Sequence, residues 1–122
     1  MCGIIGHITK SKVDISEFIH RRNLLTHRGP DDSGVFHENN VALGHTRLSI
    51  IDLSSEGHQP MISDCGNYII VFNGENYNFQ EIKKELLKRK YVFNSTSDTE
   101  VLLNGFIEYR EKIVDKLNGM FA

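Results

Sequence analysis

The run Tyr68-Ile69-Ile70-Val71-Phe72 is continuous, apolar and rich in β-branched residues, and it passes without a break into Asn73-Gly74-Glu75. Such a run reads as a buried strand, so whatever this chain folds into must cover that strand while leaving a polar Asn-Gly turn at its end. With 122 residues, 39% of them hydrophobic, the chain can form one small domain with a real core.

The remaining elements alternate around that run. Cys2 to Thr9 is apolar, β-branched and punctuated by Gly3 and Gly6, which suggests a second buried strand closely approached by other backbone. Asp14 and Glu17 resemble a capping box, and Ile15, Phe18, Ile19 and Leu25 supply a helical stripe that should stop near Arg28-Gly29-Pro30. Ser33 to His37 and Val41 to Arg47 flank Glu38-Asn39-Asn40 and read as a hairpin. Ser49 to Leu53 continues as an extended apolar piece, and Ser54 to Gly66 reads as a loop. Helices are expected over Phe79 to Lys90 and over Ser97 to Tyr109, the second opened by a Ser97–Glu100 capping box. Asn118-Gly119-Met120-Phe121-Ala122 looks like a turn followed by the opening of a strand.

Composition excludes several classes of function. A formal charge of −2 announces neither a nucleic acid nor an anionic membrane. No apolar run approaches the ~20 residues that span a bilayer. The first residues, MCGIIGHITK, lack the basic and apolar regions of a signal peptide. Two cysteines are too few for a disulfide scaffold, and a reducing cytoplasm is the simplest home. The six histidines show no zinc-site spacing, so no metal is expected.

Cys2 is the residue with the most chemistry. Behind a removable methionine it can become the first residue and carry a nucleophile and an amine together. The α-amino group, with a reference pKa of about 7.7–8.0, is basic enough to take the proton of a thiol near ~8.5. Asn73 and Gly74 offer a side-chain amide and a backbone N–H as paired donors to a developing oxyanion. Arg47, embedded in Thr46-Arg47-Leu48-Ser49-Ile50-Ile51, pairs either with a carboxylate of the protein or with an incoming one. Asp98 could receive a substrate ammonium. Each has a plainer reading when isolated: a buried apolar cysteine, a strand-ending turn, a structural ion pair and a dipole-favoured first-turn aspartate.

The ordered series MCGIIG, HRGPDDSG, GHTRLSIIDLS, GHQP, FNGENYN and TSDTE changes that balance. It closely resembles the class II glutamine amidotransferases, and within them the asparagine synthetase branch, whose discriminating segments are HRGPD, RLSIID and NGE-x-YN. Glucosamine-phosphate synthases and purine-pathway amidotransferases share the Cys-Gly start but carry different words around it. The resemblance implies Cys2 as nucleophile, its freed amine as base, and Asn73 and Gly74 as the oxyanion hole. It implies Arg47 as the anchor of the glutamine α-carboxylate, with Leu48, Ser49, Ile50 and Ile51 lining the substrate. Glu75 and Asp98 would gather the α-amino group.

The same resemblance implies an α+β fold, the four-layer αββα N-terminal-nucleophile hydrolase sandwich. Its reaction makes a γ-glutamyl thioester, then glutamate and ammonia, with activated aspartate as an acceptor. This half needs no cofactor; ATP and Mg are expected only in a synthetase domain. Its partners would be L-glutamine and that domain, with no nucleic acid and no membrane, and a homo-oligomer is allowed. Two departures stand out. Asn76 occupies a position that is usually aliphatic in the family, and the chain stops at an LNGMFA segment with no ATP-pyrophosphatase signature. Residues 1–122 are therefore expected to be an incomplete glutaminase domain that lacks its synthetase domain and is either poorly stable alone or paired with another chain. The alternatives are an amidotransferase serving another acceptor, or a non-catalytic fragment in which retained Met1 acylates the needed amine.

Overall fold

Asn39 adopts a left-handed φ of 51°, which asparagine tolerates, and with Asn40 it closes a two-residue turn between β2 (Asp32–Glu38) and β3 (Val41–Arg47). The computed structural model describes residues 2–49 and 55–122. In it β3 is the centre of a three-stranded antiparallel sheet, flanked by β2 and by β1 (Gly3–Ile8). The register runs from Gly3↔Thr46 to Ile8↔Val41 on one side of β3 and from Asp32↔Arg47 to Glu38↔Val41 on the other. The C-terminal half of β3, Gly44 to Arg47, is buried at every position, so its two faces are both covered. β1 was expected to be a buried strand; it is an edge strand, half-buried at Ile4 and Ile5 and exposed at Ile8.

α1 (Ile15–Asn23) starts as its sequence dictates: Asp14 Oδ1 accepts the Glu17 N–H at 3.1 Å, and Phe18 is buried. It ends earlier than Arg28. Thr26 Oγ1 donates to the Asn23 carbonyl at 2.7 Å, and Thr26–Arg28 forms a separate short 3₁₀ turn. Leu25 thus leaves the helical stripe, and its carbonyl accepts from Thr46 Oγ1 at 3.1 Å.

The run 68–72 contributes less regular strand than its composition suggests. Only β5 (Ile69–Ile70) is paired, to β4 (Met61–Ile62), inside the stretch expected to be loop. Val71 and Phe72 lie beyond the ladder, and only Phe72 of the five is fully buried. The reason is tertiary: Phe72 has its backbone satisfied by the side chains of Gln59 and His45 rather than by a neighbouring strand.

β6 (Gly74–Asn76) pairs antiparallel with β7 (Gly119–Phe121), the strand expected from Met120-Phe121. Between them the chain forms α2 (Phe79–Lys88) and α3 (Asp98–Tyr109), followed by a 3₁₀ segment, Arg110–Lys116. Ile82 and Leu86 of α2 meet Val101 of α3 and Ile113 in a core closed by Phe79, Tyr91 and Phe93. Truncating Leu86 to Ala there would cost about 2–5 kcal/mol. The Ser97–Glu100 capping box forms in a variant way. Ser97 Oγ accepts the Glu100 N–H at 3.2 Å, while the Glu100 carboxylate reaches back past Ser97 to the N–H groups of Asn94 and Ser95 at 2.8 and 2.7 Å. The architecture is α+β, with helices beside small antiparallel sheets. No helix among the described residues is long and apolar enough to cross a membrane.

Candidate active site

The loop that follows α1 fastens the two chain segments nearest Cys2. Arg28 Nε donates to the Cys2 carbonyl at 3.0 Å. Asp31 N–H donates to the Arg47 carbonyl at 3.0 Å, and Asp31 Oδ2 accepts the Ser49 N–H at 2.8 Å. Those bonds lay the end of β3 alongside Cys2, whose Sγ accepts the Leu48 N–H at 3.4 Å and lies 3.7 Å from the Leu48 carbonyl. Cys2 is half-buried and not in a disulfide; Cys65 is exposed in a separate loop.

Arg47 is the last residue of β3 and is only 8% exposed. Its guanidinium lies close against Gly57: a Cβ there would meet Arg47 Nη2 at 2.1 Å and Cζ at 2.7 Å, so only glycine leaves the arginine its place. Its cross-strand neighbour Asp32 is shared with His58, whose Nδ1 lies 2.7 Å from Asp32 Oδ2. Burial pushes the Asp32 carboxyl up, but the hydrogen bond and charge of His58, the Ser33 N–H and Arg47 outweigh it and hold it below its ordinary value.

Asn73 and Gly74 are set by the β6–β7 pairing. Asn73 and Ala122 exchange both backbone hydrogen bonds, at 2.9 and 2.8 Å. Because the Asn73 carbonyl points at Ala122, the Gly74 N–H across the same planar trans peptide points the other way, out of the ladder. Two residues on, the Asn76 N–H points to that same side and donates to Asp98 Oδ2 at 3.1 Å. Gly74 admits no side chain, since a Cβ would lie 2.2 Å from the Met120 carbonyl oxygen. Asp98 opens α3 and is 6% exposed. Burial pushes its carboxyl above the ordinary value and the nearby Glu75 charge adds to that, opposed by the N–H groups of Asn76, Thr99 and Asp98 itself.

These pieces face one cavity of about 180 Å³. Of the residues expected from sequence, it brings together Cys2, Arg47, Leu48, Asn73, Gly74, Glu75 and Asp98. Ser49 is not among its walls; its N–H is taken by Asp31. Ile50 and Ile51 lie outside the described residues. Gly57, Gln59, Phe72 and Thr99, none of them a site candidate from sequence, also line the cavity. The signal was available, because Gly57 and Gln59 stand in GHQP and Thr99 in TSDTE. No group of three or more His, Cys, Asp or Glu side chains suited to a metal occurs among the described residues.

The cavity thus presents a thiol, one cation, two carboxylates, the Asn73 residue and the outward-pointing Gly74 N–H, a set suited to a small zwitterion with a carbonyl to be attacked. Its volume lies below the ~300–1,000 Å³ of clefts for drug-sized ligands. A family model described as a glutamine amidotransferase domain matches residues 1–122. The chain is 45% identical to the glutamine-hydrolyzing asparagine synthetase 1 of Bacillus subtilis strain 168, over the whole of this chain and 20% of that protein. It is 39% identical to asparagine synthetase 2 of Oryza sativa subsp. japonica and 38% identical to asparagine synthetase B of Escherichia coli K12, both glutamine-hydrolyzing, again over its whole length. It spans about a fifth of the length of these relatives. The match along the whole chain shows that it belongs to the glutamine amidotransferase domain family.

Proposed function

We propose that this chain is the glutaminase part of an asparagine-synthetase-like enzyme, with the N-terminal-nucleophile sandwich as its fold. The observation that carries the reading is the convergence of Cys2, Arg47, Asn73, Gly74, Glu75 and Asp98, far apart in sequence, on one small cavity. Arg47 takes the α-carboxylate of glutamine, and Glu75 and Asp98 take its α-ammonium, which turns the side-chain amide toward Cys2. Removal of Met1 frees the Cys2 amine. The neutral amine accepts the thiol proton, and the sulfur attacks the amide carbon. The carbonyl electrons move to oxygen, which the Asn73 side-chain amide and the Gly74 N–H stabilise. The C–N bond then breaks, the amine returns its proton to the leaving nitrogen, and ammonia departs from a γ-glutamyl thioester. Water adds to the thioester by the same route, and the S–C bond breaks to give glutamate and the free thiol.

The ammonia passes to a synthetase domain and an acceptor such as activated aspartate. ATP and Mg²⁺ belong to that domain, the glutaminase half needs no cofactor of its own, and the setting is the cytoplasm. The test is the intact mass of the purified protein before and after a glutamine-like diazo-ketone. A chain without Met1 gains one adduct, lost in Cys2→Ala and kept in Cys65→Ala. A Met1-free chain that takes no adduct and releases no ammonia from glutamine sinks the proposal.

A further inference from the structure

The peptide that leads into Asn73 is held by side chains where a strand would ordinarily hold it. The β4–β5 ladder stops at Ile70, two residues short of Phe72. Phe72 nevertheless has both backbone groups satisfied in the interior. Its N–H donates to Gln59 Oε1 at 2.6 Å, and its carbonyl accepts from His45 Nε2 at 3.1 Å. A carbonyl can only accept, so His45 carries its proton on Nε2. The Gln59 amide is oriented the same way: with Oε1 committed to Phe72, Nε2 donates to Thr99 Oγ1 at 3.2 Å. His45 is fully buried, and Gln59 and Thr99 are 5% and 4% exposed.

Both ends of this network reach the proposed machinery. The Phe72 carbonyl and the Asn73 N–H belong to one planar peptide, held by His45 on one side and by the Ala122 carbonyl on the other. The next peptide carries the outward-pointing Gly74 N–H. At the far end, Thr99 follows Asp98 in the first turn of α3. His45 is two residues before Arg47 on β3, so one face of one strand delivers both.

We propose that His45 and Gln59 are positioning residues for amide hydrolysis, fixing through the two backbone groups of Phe72 the angle at which Asn73 and Gly74 meet the oxyanion, with Gln59 tying that segment to the turn that bears Asp98. The inference rests on the glutaminase reading above. Neither side chain touches the reacting atoms in this role. A misplaced donor costs rate because the charge to be stabilised exists only in the transition state, while Arg47, Glu75 and Asp98 continue to bind the ground state.

The test compares wild type with His45→Leu, which removes the donor, and with His45→Gln, whose amide N–H reaches the position of Nε2. Glutamine kcat and KM are read together with two rates of Cys2 labelling, by iodoacetamide, which forms no oxyanion, and by the diazo-ketone. His45→Leu is expected to lower kcat and diazo-ketone labelling by about 100-fold, with KM and iodoacetamide labelling within about threefold of wild type. His45→Gln is expected to recover most of the loss. Equal losses in the two variants, an unchanged kcat in His45→Leu, or a rise in KM alone would each overturn the inference. Should His45→Leu fail to fold, Thr99→Val serves, since it removes only the acceptor of the Gln59 amide. A drop in kcat of about fivefold or more at constant KM supports the inference and an unchanged kcat overturns it. A Met1-free wild type inert to both glutamine and diazo-ketone refutes the glutaminase reading itself. A reactive wild type with insensitive variants refutes only the positioning role.

Discussion

The backbone N–H of Asn76 donates to Asp98 Oδ2 at 3.1 Å, so the strand that carries Gly74 and Glu75 is fastened to the first residue of α3. The same carboxyl is pushed up by burial and further by Glu75, against the backbone N–H groups that hold it down. A carboxylate that receives the glutamine ammonium must be ionised. Glutamine binding to the Cys2→Ala protein should therefore weaken as pH falls, with a midpoint above the ordinary Asp value of 3.8. Calorimetric titration from roughly pH 7 to pH 3 reads that midpoint directly; a midpoint at or below the ordinary value contradicts the assignment. The stability linkage has the opposite sense. A raised acid favours the folded state most below its unfolded pKa, and that contribution is lost as pH rises through the folded value.

Two glycines at the cavity separate binding from catalysis. At Gly57 a Cβ would collide with the movable end of Arg47, and at Gly74 with the backbone of Met120 and Phe121. Gly57→Ala should fold almost normally but displace the guanidinium. KM for glutamine then rises by about 10–100-fold, the worth of one charge-assisted contact, while kcat stays within about threefold. Gly74→Ala should cost about 1–3 kcal/mol of stability and turn the Gly74 N–H aside; on the proposed oxyanion role, kcat falls by about 100-fold. Melting temperature, KM and kcat of the two variants check the contrast. A kcat-only defect at Gly57 would dissociate Arg47 from carboxylate binding.

What the sequence made legible was local. The caps at Asp14 and Ser97 and the Asn39-Asn40 hairpin each depend on residues a few positions apart, and each formed. Tyr68 to Phe72 was read as one strand because periodicity cannot reveal which backbone groups find a strand partner. Phe72 finds Gln59 and His45, 13 and 27 residues away. The candidate site residues stand in motif words, as do Gln59 in GHQP and Thr99 in TSDTE, but the words do not say that these two meet each other and Phe72.

His45 is expected to make the interior sensitive to acid. Burial pushes its imidazole below the ordinary value of 6.5; the Phe72 carbonyl and Asp32 oppose the shift, and Arg47 and His58 reinforce it. A buried base with a lowered pKa is neutral in the folded state, while the unfolded chain takes up the proton first. The stability it confers is full above 6.5 and is lost as pH falls from there toward the folded value. Denaturant midpoints measured through that window should fall more steeply for wild type than for His45→Gln. Parallel curves would show that the imidazole does not titrate in this way.

Asn76 makes the departure from the family pattern measurable. Asn76 is 2% exposed, and its Nδ2 has no hydrogen-bond partner among the described residues. Its Oδ1 accepts the Asn118 N–H at 3.4 Å, but that N–H has a shorter bond, 2.9 Å, to Asn78 Oδ1. The bond to Asp98 comes from the Asn76 main chain and survives any side-chain change. Asn76→Leu, close in shape, removes a buried unsatisfied donor, orphans no other group and adds apolar burial. The expected result is a gain of about 1 kcal/mol in unfolding free energy, with KM for glutamine unchanged. A loss of stability instead would mean that Nδ2 is satisfied by a buried water, making the amide part of the support beneath Glu75 and Asp98.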